Sequence, residues 1–173
     1  SARIPLFLVP PSGQQASCRP CAGEVTELRD VMPTLLTAAG VPVPDTVDGR
    51  SLLPLLSGPD PAWRTYIHGE HCTCYAPEQE MQYVTDGHRK LIWLPRIDRE
   101  QFFDLDRDPG ETRDRIDDPA YRPEIETWRG YLAKELADRR CGWVRDGAPA
   151  CPGTEPLVSP YKEVRWTGPP APE

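Results

Sequence analysis

Apolar and polar positions change their period along this chain. Residues 4–10, Ile-Pro-Leu-Phe-Leu-Val-Pro, form an almost unbroken apolar run closed by proline. Such a run predicts a strand buried on both faces, as in a parallel sheet. Residues 12–23 are rich in Ser, Gly, Gln and Cys and read as a loop. Between 25 and 44, apolar residues at 25, 28, 32, 35, 36 and 39 follow a helical period. Pro33 belongs in a first turn, because proline removes a donor and clashes with the preceding turn. The spacing therefore predicts a short strand at 25–28, Asp30 as N-cap, a helix over 31–39 and Gly40 as the residue after its C-cap. Residues 44–58 form a turn-rich connection with one helical segment near 51–56.

Beyond residue 60 the period falls to two. Segments 64–70, 80–86, 88–94 and 100–106 read as four strands. Asp86–Gly87 joins the middle pair, and that dipeptide accepts the positive φ of a tight hairpin. An antiparallel meander is expected. A charged loop over 106–119 follows. Residues 120–140 then place apolar side chains at 125, 128, 132 and 136, with Asp117 and Asp118 before them and Arg139 and Arg140 at the end. This predicts a helix covering one face of the meander. Residues 141–173 are rich in Pro and Gly and read as an extended tail.

Composition narrows the classes. The chain has 173 residues, enough for one medium domain with a real core. Its 22 prolines are more than double the usual share of about 5%. The net charge of −7 argues against a nucleic-acid partner, which needs a basic face. No apolar run is long enough to span a membrane. The apolar stretch at the start is too short for a signal peptide and lacks a small-residue cleavage site, so the compartment stays open with the cytoplasm favoured. The chain opens on a strand without an initiator Met, which suggests a piece of something larger.

The candidate chemistry is sparse. Residues 67–72, Ile-His-Gly-Glu-His-Cys, hold His68, Glu70 and His71 within four positions. On a strand, 68 and 70 share one face and 71 takes the other. The His pair therefore does not chelate one ion unless the strand ends at Gly69. Polar residues at a strand end and a functional cleft rim are both open readings. Cys18-x-x-Cys21 has the form of a zinc knuckle, but Cys72-x-Cys74 is a poor second one. The six cysteines, at 18, 21, 72, 74, 141 and 151, are consistent with free thiols, disulfides or a thiolate zinc site. Residues 104–111, Asp-Leu-Asp-Arg-Asp-Pro-Gly-Glu, open like a calcium-binding EF-hand loop. That loop needs Gly sixth and Glu twelfth, and those positions hold Pro109 and Arg115.

The order of six segments is more informative. Residues 3–11, 25–58, 64–71, 83–94, 100–119 and 128–139 follow one another as in the C-terminal third of a type I sulfatase. The most specific parts are Asp30–Pro44 with Asp48–Leu56, and Phe102–Glu111. Tyr66–His71 resembles one bacterial arylsulfatase branch. The resemblance implies an alkaline-phosphatase-like α/β fold whose small C-terminal domain packs a four-stranded antiparallel sheet on a helix. Residues 1–45 would be the last elements of the large domain, 46–140 the small subdomain and 141–173 a tail.

In such enzymes a formylglycine made within C-x-P-x-R or S-x-P-x-R attacks sulfur, and a divalent ion, with calcium expected, offsets charge on the sulfate oxygens. The resemblance places those groups upstream, so no catalytic or metal residue is carried over and the isolated chain is expected to be inactive. Cys18-Arg19-Pro20 starts like the nucleophile motif, but position 22 is Ala where Arg is required. What remains is substrate contact, for which His68, Glu70 and His71 are the candidates at the cleft rim. The implied partners are a small-molecule sulfate ester and the upstream catalytic part of the same enzyme. The rival readings are a phosphonate or phosphodiester hydrolase of the same superfamily, and a zinc-stabilised interaction domain without enzymatic activity.

Overall fold

The computed structural model of the protein describes residues 4–10, 23–71, 77–139 and 142–151. The chain divides into two compact units, Ser1–Ile67 and His68–Glu173. No helix among the described residues is long and apolar enough to cross a membrane.

The first unit is built around one helix, α1 (Val31–Ala38), entered through a 3-10 turn at Leu28–Asp30. Its end follows the sequence: Gly40 sits at φ +69°, and Val41 N donates to Leu36 O at 2.9 Å while Gly40 N donates to Thr37 O at 3.1 Å. This paired closure needs a left-handed residue, which glycine adopts at little cost. Thr34 ties the helix to the following connection, donating to Asp30 O at 2.6 Å and accepting from Leu52 N at 2.8 Å. Leu52, Leu55 and Trp63 form the small core beneath it, and Trp63 Nε1 donates to Val25 O at 2.8 Å. Gly49 is fixed by space, because a Cβ there would lie 1.9 Å from Arg29 O. The helical segment expected at 51–56 is a single 3-10 turn, Leu53–Leu56, with Pro54 in its first positions.

Two expected strands do not form. Residues 4–10 carry no ladder, and Phe7 and Val9 are 85% and 74% exposed. A strand buried on both faces exists only through its neighbours, and no strand among the described residues forms a ladder with this run. Residues 25–28 are likewise no strand, because Glu27 opens the 3-10 turn and Asp30 N donates back to Glu27 O at 3.0 Å.

The second unit is the expected sheet and helix. Strands β1 (Ile67–His71), β2 (Met81–Thr85), β3 (Arg89–Leu94) and β4 (Arg99–Asp104) lie in the order β1-β2-β3-β4. β2 pairs antiparallel with β3 through Tyr83↔Ile92 and Val84↔Leu91, and β3 with β4 through Leu91↔Phe102 and Ile92↔Gln101. The connection from β1 to β2 is shorter than the dozen or so residues a parallel crossover needs. β1 starts three residues later than the alternation predicts, because Trp63 and Arg64 are engaged in the first unit. Gly87 turns the β2–β3 hairpin at φ +90°, and Asp86 caps the turn by accepting from His88 N and Arg89 N.

One sheet face carries Val84, Leu91, Trp93 and Phe102, all buried. Helix α2 (Arg122–Leu136) packs across β2 and β3 with Ile125, Trp128, Leu132 and Leu136 buried. It is entered through a 3-10 turn, Pro119–Tyr121, which Asp118 caps by accepting from Ala120 N. Ion pairs bind the helix to the last two strands, Arg129 to Glu100 on β4 and Glu124 to Arg89 on β3. The other sheet face holds Ile92, Phe103 and Leu105, flanked by Met81, Tyr83 and Leu94.

The segment after α2 departs from the tail expected over 141–173. Within 142–151 two short strands pair, β5 (Val144–Arg145) and β6 (Ala148–Pro149). Asp146 and Gly147 both adopt positive φ, 52° and 78°, as a two-residue hairpin turn requires. Trp143, fully buried, meets Trp93 edge-to-face at 6.2 Å and 89°. Residues 152–173 lie outside the described residues.

Candidate functional site

The three candidate side chains divide as strand geometry requires. His68 and Glu70 lie on the same face of β1, and both reach Gln82 on the neighbouring strand. His68 Nε2 is 2.8 Å from Gln82 Oε1, and Gln82 Nε2 donates to Glu70 Oε2 across a longer 3.4 Å. Arg139, just past α2, donates to the same Glu70 oxygen at 2.5 Å. The result is one chain of polar contacts, His68–Gln82–Glu70–Arg139, running from the sheet to the end of the helix. Gln82 is buried, whereas His68 is half-buried. Burial pushes the His68 imidazole below its usual pKa, and the Arg139 charge pushes the same way, against the Gln82 hydrogen bond and Glu70. His68 is therefore neutral near pH 7. His71 is exposed and, by alternation, belongs to the opposite face. The structure thus joins two of the three candidates and separates the third.

Gln82 and Arg139 escaped the sequence reading. The signal was present for Gln82, which stands in phase with Val84 and so puts an amide in the buried row of β2. Gly69 explains the local backbone. A Cβ there would lie 2.2 Å from the Tyr83 ring, so only glycine lets that ring lie against β1 on the face opposite the two polar residues.

The remaining clusters of charge are spoken for. Asp30 is fully buried and accepts both Arg64 Nη atoms at 2.6 Å, Arg50 N at 2.8 Å and Glu27 N at 2.9 Å. It stands at the N-cap position of α1, but its carboxylate is spent on these partners and does not cap that helix. Asp104 accepts from Tyr121 Oη at 2.7 Å and from Arg89 at 2.9 Å. Asp106 holds His88 at 2.7 Å and Arg89 at 3.1 Å. Asp108 accepts from Thr112 N and Arg113 N, both at 2.7 Å. The acidic run 104–108 thus serves as a set of turn caps and ion pairs. A shallow groove near α2 is lined by Asp98, Arg99, Glu100, Asp117, Glu126 and Arg129. Its carboxylates outnumber its guanidinia, which disfavours an anionic ester there.

The donor set does not suit the calcium ion that sulfatase chemistry implies. Calcium takes six to eight oxygens, and the buried aspartates among the described residues, Asp30 and Asp104, already face guanidinium groups. Cys18, Cys21, Cys72 and Cys74, the positions considered for zinc, lie outside the described residues, as does Cys141. Cys151 is a free thiol.

Comparison with known proteins gives a concordant result. The family model described as N-sulphoglucosamine sulphohydrolase, C-terminal, matches residues 1–139. An arylsulfatase of Clostridium perfringens is 37% identical over 166 residues, covering 95% of this chain and 33% of that protein. The multifunctional alkaline phosphatase superfamily protein PehA of Trinickia caryophylli is 34% identical over 156 residues, covering 80% of this chain and 29% of that protein. The chain therefore spans about a third of the length of these relatives. Among solved structures, BT4656 in complex with its substrate D-glucosamine-2-N,6-O-disulfate superposes with a TM-score of 0.57 at 27% identity, covering 62% of this chain and 23% of that one. A sulfatase-like order of segments, a four-stranded sheet packed on one helix, and a family match over residues 1–139 agree: the chain belongs to the sulfatases, in the family described as N-sulphoglucosamine sulphohydrolase, C-terminal.

Proposed function

We propose that this chain is the C-terminal portion of a sulfate-ester hydrolase of arylsulfatase type. The observation that carries the reading is the match to the clostridial arylsulfatase over nearly the whole chain and only a third of that protein. The formylglycine nucleophile and the divalent ion belong to the upstream part, where they supply the attack on sulfur and the charge compensation. This portion supplies the closing elements of the large domain from residues 1–45 and the small sheet domain. The 68–71 segment lies on the substrate side of the cleft, where His68 and Glu70, joined through Gln82, contact the part of the ester that leaves or orients, while His71 belongs to the other face of the strand. Exposed apolar side chains at Ile4, Leu6, Phe7 and Val9 support a contact surface for the rest of the enzyme.

The reading is tested by turnover of an aryl sulfate such as 4-nitrophenyl sulfate. The chain alone should give no turnover, and the longer protein that contains it should give robust turnover. Sulfatase activity in the isolated chain would overturn the division of labour. The similarity to PehA favours a second reading, a hydrolase of phosphonate or phosphate diesters. Parallel assays with a phenylphosphonate ester separate the two: the sulfate ester should give the higher kcat/KM.

A further inference from the structure

The His68–Gln82–Glu70–Arg139 chain has a direction. Glu70 is a carboxylate and only accepts; Arg139 already donates to it at 2.5 Å. The face of the Gln82 amide turned toward Glu70 must therefore be Nε2, which donates. That leaves Oε1 facing His68, 2.8 Å from its Nε2. A carbonyl oxygen has no proton to give, so the proton in this contact belongs to the imidazole. Gln82 is buried on the inner row of β2, and both ends of its amide are engaged, which locks the orientation.

We propose that Gln82 is a positioning residue that holds the His68 ring with its proton on Nε2, so that the Nδ1 lone pair accepts a hydrogen bond from a hydroxyl group of the substrate. Among the described residues no hydrogen bond is recorded to Nδ1. A sulfate oxygen offers only lone pairs and meets a lone pair at that nitrogen. A hydroxyl, as on a sugar or another polyol, offers the hydrogen that Nδ1 needs. Burial and the Arg139 charge both oppose a second proton on the ring, which keeps this nitrogen an acceptor at neutral pH. A histidine that contacted a sulfate oxygen would have to donate, the reverse of this role. The hydroxyl contact rests on the rim reading above; the proton position does not.

The experiment uses the chain labelled with 15N-histidine and long-range 1H–15N spectra at pH 7. His68 should show a protonated Nε2 and an unprotonated Nδ1. In Gln82→Met, a near-isosteric change whose folding is checked by circular dichroism, His68 should move to a mixture of tautomers. An Nδ1–H ring in the parent protein, or an unchanged spectrum in Gln82→Met, overturns the positioning role. Titration with methyl glucoside and, separately, inorganic sulfate then tests the ligand. Movement of the His68 Nδ1 signal with the glucoside alone supports the proposal. Movement with sulfate alone keeps the rim and overturns the acceptor role. Response to neither, with the tautomer as expected, overturns the rim reading and the hydroxyl contact with it.

Discussion

Asp30 is a fully buried charge in the first unit, tied to Glu27, Arg50 and Arg64. Its carboxylate is removed from water and repaid by one guanidinium and two backbone amides. Burial pulls its pKa upward, but the Arg64 hydrogen bonds with the Arg50 and Glu27 amides outweigh that pull and hold the carboxyl below its usual range. Its contribution to stability is thus complete above the unfolded value near 4 and disappears as pH falls through the lower folded value. Asp30→Ala should cost about 3 kcal/mol, because it strands the mostly buried Arg64 guanidinium. Thermal unfolding between pH 7 and 3 checks both points: the parent should lose its advantage over Asp30→Asn in acid. A constant gap between the two across that range would mean the pair is not what pH acts on. Gly69 makes the opposite kind of prediction, about space. Gly69→Ala must displace the Tyr83 ring and should cost about 1–3 kcal/mol in urea unfolding, the usual penalty for overpacking.

At the scale of elements, the hairpin after α2 is the feature that changes the picture. Trp143 is fully buried against Trp93, and β6 packs on α2. Trp143→Ala should destabilise the second unit by about 3–5 kcal/mol, the range for large-to-small changes at a buried Trp. A urea midpoint within error of the parent would refute that packing. The same elements show what the sequence can and cannot reveal. The meander and its covering helix were legible, because period two and period three-to-four survive when each element buries one face. Helix α1 was legible from its Gly40 stop. Segment 4–10 was not, because an apolar run specifies burial but not the partner that provides it. The β5–β6 hairpin was missed although Asp146–Gly147 repeats the dipeptide that marked the first hairpin. Its strands are two residues long, too short to show a period, and the surrounding prolines mask them. Of the site, the separation of His68 and Glu70 from His71 was legible from alternation alone. Gln82 and Arg139 were not, since they join the cluster from 12 and 69 residues away from Glu70.

Across the whole molecule, polar surface and apolar exposure are distributed unevenly. The second unit covers its core with its own helix and hairpin. The first unit leaves Phe7, Val9, Leu28 and Leu35 more than 60% exposed. Two of these, Phe7 and Val9, lie in one short apolar run, and large exposed apolar side chains favour association. The chain in isolation should self-associate at micromolar concentration, and Phe7→Ser with Val9→Ser should reduce it, as read by light scattering. A parent chain that stays monomeric would show that these residues are not a sticky surface. In the longer enzyme, His68→Ala and Glu70→Ala should each lower kcat/KM for a sulfate ester by about tenfold, the loss of one hydrogen bond of about 1.4 kcal/mol. Activity unchanged in both variants would remove the segment from the substrate side of the cleft.

The right-angled contact of Trp93 and Trp143 also has an optical consequence. Two indoles 6.2 Å apart couple their electronic transitions, so the pair should give a bisignate signal in the ultraviolet circular dichroism of the folded chain. Trp63 belongs to the other unit, with Arg64 over its ring. The couplet is a built-in gauge of whether the hairpin is seated, readable without any label. It should vanish when the hairpin lifts off, even while the helical bands stay unchanged.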